Sequence, residues 1–212
     1  QIPKKSDLNQ MGPWQRIGVH AAGLELADAG IAGNGELLDR TNIIVAAGNG
    51  ERDCDLDGRL MAGPAVSLNN QLMTGLRPTL YLGELSNLLA GNIQLIHHAT
   101  GSSRTLKGEE IAGASAVEDA VRRIRGDQGD LFVVGGALNA ERDDLLLNYE
   151  LGANLWRHPH RSVWQRGVDG GGMVLGSMAA FLVIEARAHA EARGATPYAR
   201  VADVVTDRSR RG

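Results

Sequence analysis

Cysteine is nearly absent: Cys54 is the one thiol in 212 residues. That excludes an internal disulfide and fits a reducing compartment. Long apolar runs are absent too, none reaching the roughly 18 residues that cross a bilayer, so no membrane span is expected. Nor does charge of one sign dominate. The formal net charge is −3, which gives no electrostatic reason to expect nucleic acid or an anionic membrane as partner. The opening residues QIPKKSDLNQ are polar and lack the apolar core of a secretory signal. These absences lead to the expectation of a soluble, cytoplasmic protein.

Apolar residues make up 43% of the chain, enough for a substantial core, and the length suits one large domain or two small ones. Glycine is abundant at 28 residues, against a usual share of about 7%, which predicts tight turns and close packing. Trp14, Ile17, Ala21, Leu24 and Ala27 recur at helical spacing, with Gly30 as a stop, and predict a helix over 14–29. NIIVAA (42–47), bounded by Gly48, and DLFVV (130–134), ending on Gly135-Gly136, read as buried strands. Further helices are expected over 82–97, 109–125 and 186–193, strands over 104–106, 181–185 and 198–205, and polar irregular chain over 49–75. Strands that alternate with helices and are continuously apolar define an α/β protein, its mixed, mainly parallel sheet covered on both faces.

Two segments echo each other. NIIVAAGNGERD (42–53) and LFVVGGALNAERDD (131–144) both run from buried strand through a Gly-containing turn to Glu-Arg-Asp. Two strands in equivalent roles would produce this, and so would coincidence at three residues.

Residues 76–113, LRPTLYLGELSNLLAGNIQLIHHATGSSRTLKGEEIAG, resemble the segment leading into the active-site elbow of β-ketoacyl-acyl-carrier-protein synthases, the condensing enzymes of fatty-acid synthesis. Pro78, Asn87, Ala90, Gly91 and Gly101 fall into step with that family's pattern without a gap. The family's nucleophilic cysteine, at the start of a helix after a short strand, then falls on Glu110. GLELADAGI (23–31), RGDQGDLFVVGGA (125–137) and residues 171–201 resemble further family segments in the right order and spacing.

The resemblance implies a thiolase-like layered fold, αβαβα in the full enzyme. Residues 1–212 would be its N-terminal ketosynthase-like domain, incomplete because the C-terminal half is absent. The catalytic histidines and lysine would belong to that other half: His97 and His98 fall at a helix end and His158 and His160 in a loop, none on a family position. The resemblance further implies acyl carrier protein as partner, with substrates borne on its phosphopantetheine and no cofactor of the protein's own. It implies a homodimer, or a heterodimer with a Cys-bearing ketosynthase, paired across the strand before the elbow in a bacterial cytoplasm. In that strand Arg104 and Lys107, with Glu109 and Glu110 after it, would suit an oppositely patterned neighbour. The wording of the chain also looks like the homologue serving very-long-chain acyl and lipid A synthesis.

A cysteine at a helix N-terminus is reactive because free backbone N–H groups and the helix dipole favour its thiolate. The same field accommodates a carboxylate at Glu110. A carboxylate attacking a thioester gives a labile anhydride, however, so Glu110 should not run the ordinary condensation. The resemblance then implies a condensation-deficient partner or chain-length-determining subunit, as in chain-length factors that carry Gln in the slot. The alternatives are an active acyltransferase or decarboxylase of the same family with altered chemistry, and a non-enzymatic α/β binding protein. Glu109-Glu110 is also an ordinary helix start, since first-turn acids gain about 0.3–1 kcal/mol from the dipole. Lys107-Gly108-Glu109 replaces the family's small, neutral residues before the nucleophile. Met178 and Ala180 set side chains where family backbones pass closely. Gly108, Glu109 and Met178 are accordingly expected to border a remodelled acyl pocket.

The remaining features read as ordinary. His158-Pro159-His160, between Trp156 and Trp164, lacks a third metal ligand and reads as a loop with aromatic anchors. Cys54 sits among carboxylates that raise a thiol pKa and reads as a loop thiol. Residues 48–52 lack the spacing of a dinucleotide fingerprint. Gly170-Gly171-Gly172 suits positive φ, and the basic DRSRRG end suits solvated surface or an acidic carrier.

Overall fold

The computed structural model describes residues 4–64, 67–76, 78–108, 111–167 and 170–207. In chain order they form α1 (Lys5–Asn9), α2 (Pro13–Asp28), α3 (Gly35–Arg40), β1 (Asn42–Ala47), α4 (Cys54–Ala62), α5 (Leu68–Gly75), α6 (Pro78–Gly83) and α7 (Leu88–His97). There follow β2 (Ser103–Lys107), α8 (Ala112–Arg125), β3 (Leu131–Leu138), α9 (Asp143–Leu151), α10 (Val163–Arg166), β4 (Met178–Glu185) and α11 (Arg187–Ala192).

The strands make one sheet in the order β2-β1-β3-β4. β1 lies parallel to both β2 and β3, and β4 closes the row antiparallel to β3. Because side chains alternate across a strand, the continuous apolar runs feed two cores. Ile43, Val45, Ala47, Leu131, Val133 and Phe181 face one side, where Trp14, Val19, Ala22 and Leu26 of α2 and Leu89, Ile93 and Ile96 of α7 cover them. Ile44, Phe132, Val134 and Ile184 face the other, under Ala116, Ala120 and Val121 of α8. Phe132 is fully buried, worth about 1.5–3 kcal/mol relative to exposure. The expected α/β architecture with a mixed, mainly parallel sheet covered on both faces is present.

Local chemistry explains the helix ends. Proline at the first position of α2 wastes no donor, and Gly12 N donates to Gln15 Oε1 at 3.1 Å. At the far end Gly30 turns at φ 69, letting Ile31 N reach Leu26 O at 2.8 Å. β1 and α2 match their expected limits to within a residue.

Four expectations fail, each for a local reason. Residues 49–75 are not irregular but hold α4 and α5. Asp53 Oδ1 accepts from Leu56 N at 3.1 Å and starts α4, whose one buried residue, Leu56, gives no apolar stripe to read. The expected helix over 82–97 is split into α6 and α7, because Gly83 O is drawn aside to accept from Glu51 N at 3.1 Å. β3 does not stop at Gly135-Gly136 but runs to Leu138. A Cβ on Gly135 would stand 2.2 Å from Ala180 O, and one on Gly136 2.5 Å from Ala46 O. The glycines thus admit the two neighbouring strands. Finally, residues 198–205 form no strand. They lie across α8, where Arg125 Nη2 donates to Ala202 O at 3.0 Å, Thr206 Oγ1 donates to Glu118, and Val204 packs on the helix's apolar face.

Candidate functional site at the carboxyl ends of the strands

Ligands of open α/β sheets bind outside the carboxyl ends of the strands. Here β1, β2 and β3 end together at Ala47, Lys107 and Leu138, with Met178, the first residue of β4, abreast of Leu138. The elbow leaves β2 at Lys107 and enters α8 at Ala112. Gly108 N donates to Ala47 O at 3.1 Å, tying the elbow to β1. A Cβ on Gly108 would come within 3.2 Å of Ala112 Cβ. Glu109 and Glu110 lie outside the described residues. Met178, expected at the pocket, stands 61% exposed.

The sequence echo proves structural. β1 and β3 pair with Asn42 abreast of Phe132 and Ala46 abreast of Gly136. That offset of 90 residues also separates Glu51 from Glu141, Arg52 from Arg142 and Asp53 from Asp143. Both copies therefore leave neighbouring strands in the same register, and each leads into a helix, α4 or α9. Together with residues 9–13 and Gly83 they line a cleft of about 650 Å³.

Hydrogen bonds knit the two copies together. Glu51 Oε1 accepts from Asn139 Nδ2 at 2.8 Å and from Trp14 N at 3.2 Å. Asn139 Oδ1 accepts from Ser177 Oγ at 3.1 Å, and that hydroxyl accepts from Ala140 N at 3.0 Å. Arg142 lies between Asp144, at 2.5 Å, and Asn49 O, at 3.4 Å. The Arg142 hydrogen bond holds the Asp144 carboxyl below its ordinary pKa and raises that of the guanidinium. Arg52 is engaged by Asp57 at 2.8 Å. Cys54 opens onto the cleft as an exposed thiol. Partial burial, then the Asp144 carboxylate, push its pKa up, so it is a poor nucleophile.

Other candidate groups lie elsewhere. His97 Nε2 is 2.8 Å from Val19 O, holding α7 to α2, and burial lowers its pKa. His98 takes the left-handed C-cap of α7 at φ 60. His158 stacks edge-on against Trp156. Arg104, expected to face a neighbouring chain, is held within its own chain by both Asp119 oxygens at 3.0 Å. Sequence reasoning saw the Glu-Arg-Asp echo but not its convergence; the unbroken offset was the signal that could have revealed it.

One sheet covered by helices on both faces, with an elbow joining the parallel strand β2 to α8, defines a layered α/β fold. Residues 2–190 match the family model "Beta-ketoacyl synthase, N-terminal domain", and the chain belongs to that family. It is 28% identical over 197 residues to the 3-oxoacyl-[acyl-carrier-protein] synthase 2 of Rhizobium meliloti (strain 1021), covering 91% of this chain and 45% of that protein. The chain thus spans about half the length of the curated relatives it matches. Among solved structures, a beta-ketoacyl synthase from Burkholderia phymatum STM815 superposes with a TM-score of 0.74 at 23% identity, over 92% of this chain and 48% of that one. A type II polyketide acyl-carrier protein in complex with its ketosynthase gives 0.69 at 18% identity, over 91% and 52%. The ishigamide ketosynthase/chain length factor gives 0.70 at 22%, over 89% and 45%. These likenesses place the thiolase-like ketosynthase fold.

Proposed function

We propose that this chain is the N-terminal half of a ketosynthase homologue in acyl-chain elongation that does not itself condense. It acts as a silent or chain-length-determining partner of a Cys-bearing ketosynthase in the bacterial cytoplasm. The observation that carries the reading is Glu110 in the sequence, the residue on which the family's nucleophile position falls by resemblance; it lies outside the described residues. A carboxylate is at home where helix N–H groups converge, but it cannot hold an acyl group as a stable thioester. Substrate would arrive on the phosphopantetheine of acyl carrier protein, with no cofactor resident in the chain. The carrier dependence of the synthase 2 relative and the chain length factor among the structural neighbours support this reading.

The outer edge of β2 is the natural seam for such a partner: among the described residues β2 pairs only with β1, and an unpaired edge strand is a template for another chain. Since Asp119 neutralises Arg104, Lys107 supplies the charge on that edge. The test is intact mass after incubation of the full chain with acyl-loaded carrier protein, alone and with a Cys-bearing ketosynthase. The expected result is no adduct on this chain, with acylation and elongation on the relative. An acyl adduct formed on this chain by itself would sink the silent-partner reading.

A further inference from the structure

Asparagine is followed by glycine twice in the chain, at Asn34-Gly35 and Asn49-Gly50. Such a pair is chemically labile, because the glycine nitrogen has no neighbouring Cβ to shield it and can attack the asparagine side chain. The fold treats the two pairs differently. Asn34 caps α3, its Oδ1 accepting from Leu37 N at 3.2 Å, which pins the side chain over the helix's first turn. Asn49, in the turn that leaves β1, is exposed, and among the described residues its side chain makes no hydrogen bond. Gly50 N likewise donates to no acceptor among the described residues.

The repeated segment supplies an internal comparison. By the offset of 90 residues Asn49 corresponds to Asn139, and Asn139 is locked. Its Nδ2 donates to Glu51, and its Oδ1 accepts from Ser177 Oγ and from Glu141 N. The residue after it is alanine, and Ala140 N donates to Ser177 Oγ at 3.0 Å. At position 50 the packing admits only glycine, since a Cβ would stand 2.3 Å from Gly83 O. The carbonyl of the same peptide, Asn49 O, accepts from Arg142 Nη1 at 3.4 Å. A cation there favours the deprotonated peptide nitrogen, the form that attacks.

We propose that Asn49-Gly50 is a self-modification site, at which Asn49 is converted to aspartate and isoaspartate through a cyclic imide. Hydroxide removes the Gly50 N–H proton and the nitrogen attacks Asn49 Cγ. The new N–Cγ bond forms as the Cγ–Nδ2 bond breaks, and Nδ2 leaves as ammonia. Water then opens the ring at either carbonyl. Attack at Cγ restores the backbone with an aspartate side chain; attack at the Asn49 main-chain carbonyl carbon gives isoaspartate, with one extra methylene in the backbone. Either product sets a new carboxylate beside Arg142, which Asp144 already engages. The isoaspartate also lengthens the chain two residues before Glu51, and so loosens that residue's bonds to Asn139 and Trp14.

The test is peptide mapping of the full chain during incubation in mildly alkaline buffer, native and in urea, with enzymatic methyl-labelling of isoaspartate. In the native chain position 49 should convert several-fold faster than position 34, and in urea the two rates should converge. Arg142→Met should slow conversion at 49 several-fold in the native chain and leave the rate in urea unchanged. Asn49→Gln should abolish the label at that position. A native rate at 49 no faster than at 34, or no isoaspartate at 49, would overturn the site, and that comparison stands whether or not the Arg142 variant folds. Native conversion unaffected by Arg142→Met would overturn the part assigned to the guanidinium.

Discussion

Asn139 Nδ2 donates to Glu51 Oε1 at 2.8 Å, a bond between residues 88 apart in sequence that joins the loops leaving two neighbouring strands. The same carboxylate oxygen accepts from Trp14 N at the start of α2, and Glu51 N donates to Gly83 O. One residue therefore ties together the start of α2, both Glu-Arg-Asp segments and the return of the chain from α6.

Glu51→Ala should lower stability by about 1–3 kcal/mol, because it leaves partly buried donors without their acceptor. Glu51→Gln, which keeps an acceptor oxygen, should lower it less. Urea melts of both variants and of Asn139→Ala, combined in a double-mutant cycle, check this. A coupling energy near zero between positions 51 and 139 would contradict it.

Gly23→Ala is a helix-favouring change that in an open helix would stabilise by roughly 0.5–1 kcal/mol. Here the new Cβ would stand 2.5 Å from His97 Cε1, and overpacking costs about 1–3 kcal/mol. The clash should win, so thermal melting should show a lower Tm. Pairing it with His97→Ala should bring back the helix benefit and make the two changes non-additive.

His97 is held neutral by burial, which lowers its pKa from 6.5 in spite of the hydrogen bond to Val19 O. Above the unfolded value neither state is protonated and nothing is lost. As pH falls below about 6.5 the unfolded chain takes up a proton that the folded chain resists, so stability declines toward the folded value. Denaturant melts between pH 7.5 and 5.5 should show that decline, and His97→Gln should flatten it. An unchanged slope in the variant would assign the effect elsewhere.

Glu185 is enclosed by Arg193, at 2.6 Å, and by His189 Nδ1, at 2.5 Å, with its side chain only 9% exposed. Arg193→Ala would strand that carboxylate and should cost about 3 kcal/mol. Arg187→Ala, which removes an exposed pair with Glu191, should cost about 0.3–0.5 kcal/mol. Comparison of the two unfolding midpoints checks the contrast.

Strands buried on both faces were legible because every residue of NIIVAA is apolar or small after its first, and no other element satisfies that pattern so briefly. The extent of α2 was legible from helical spacing, but its buried face was not. Of Trp14, Ile17, Ala21, Leu24 and Ala27 only Trp14 is buried and Leu24 stands 60% exposed, while Gln15, Gly18, Val19, Ala22 and Leu26 complete the core face. α4 and α5 were not legible, since they stand off the sheet: Met61 and Met73 are 89% and 78% exposed, and a helix that buries one leucine writes no stripe. The glycines of β3 misled because their usual role is to end a strand, whereas here close neighbours require them. The β2–α8 elbow was visible only through the family pattern, and Glu109 and Glu110, expected there, lie outside the described residues. The cleft was hidden because it depends on strand adjacency, which the echoed Glu-Arg-Asp hinted at and only the sheet order revealed.

The order β2-β1-β3-β4 also sets how this chain must fold. No two neighbouring strands are joined by a tight turn: α4 to α7 intervene between β1 and β2, and α9 and α10 between β3 and β4. No hairpin is available as a seed, so every ladder must await closure of a long loop, the circumstance that slows folding. During that wait the most apolar segments, 42–47 and 131–134, are uncovered together. The chain is thus expected to reach its native state in the slow range for its size and to depend, while doing so, on being kept apart from its own copies.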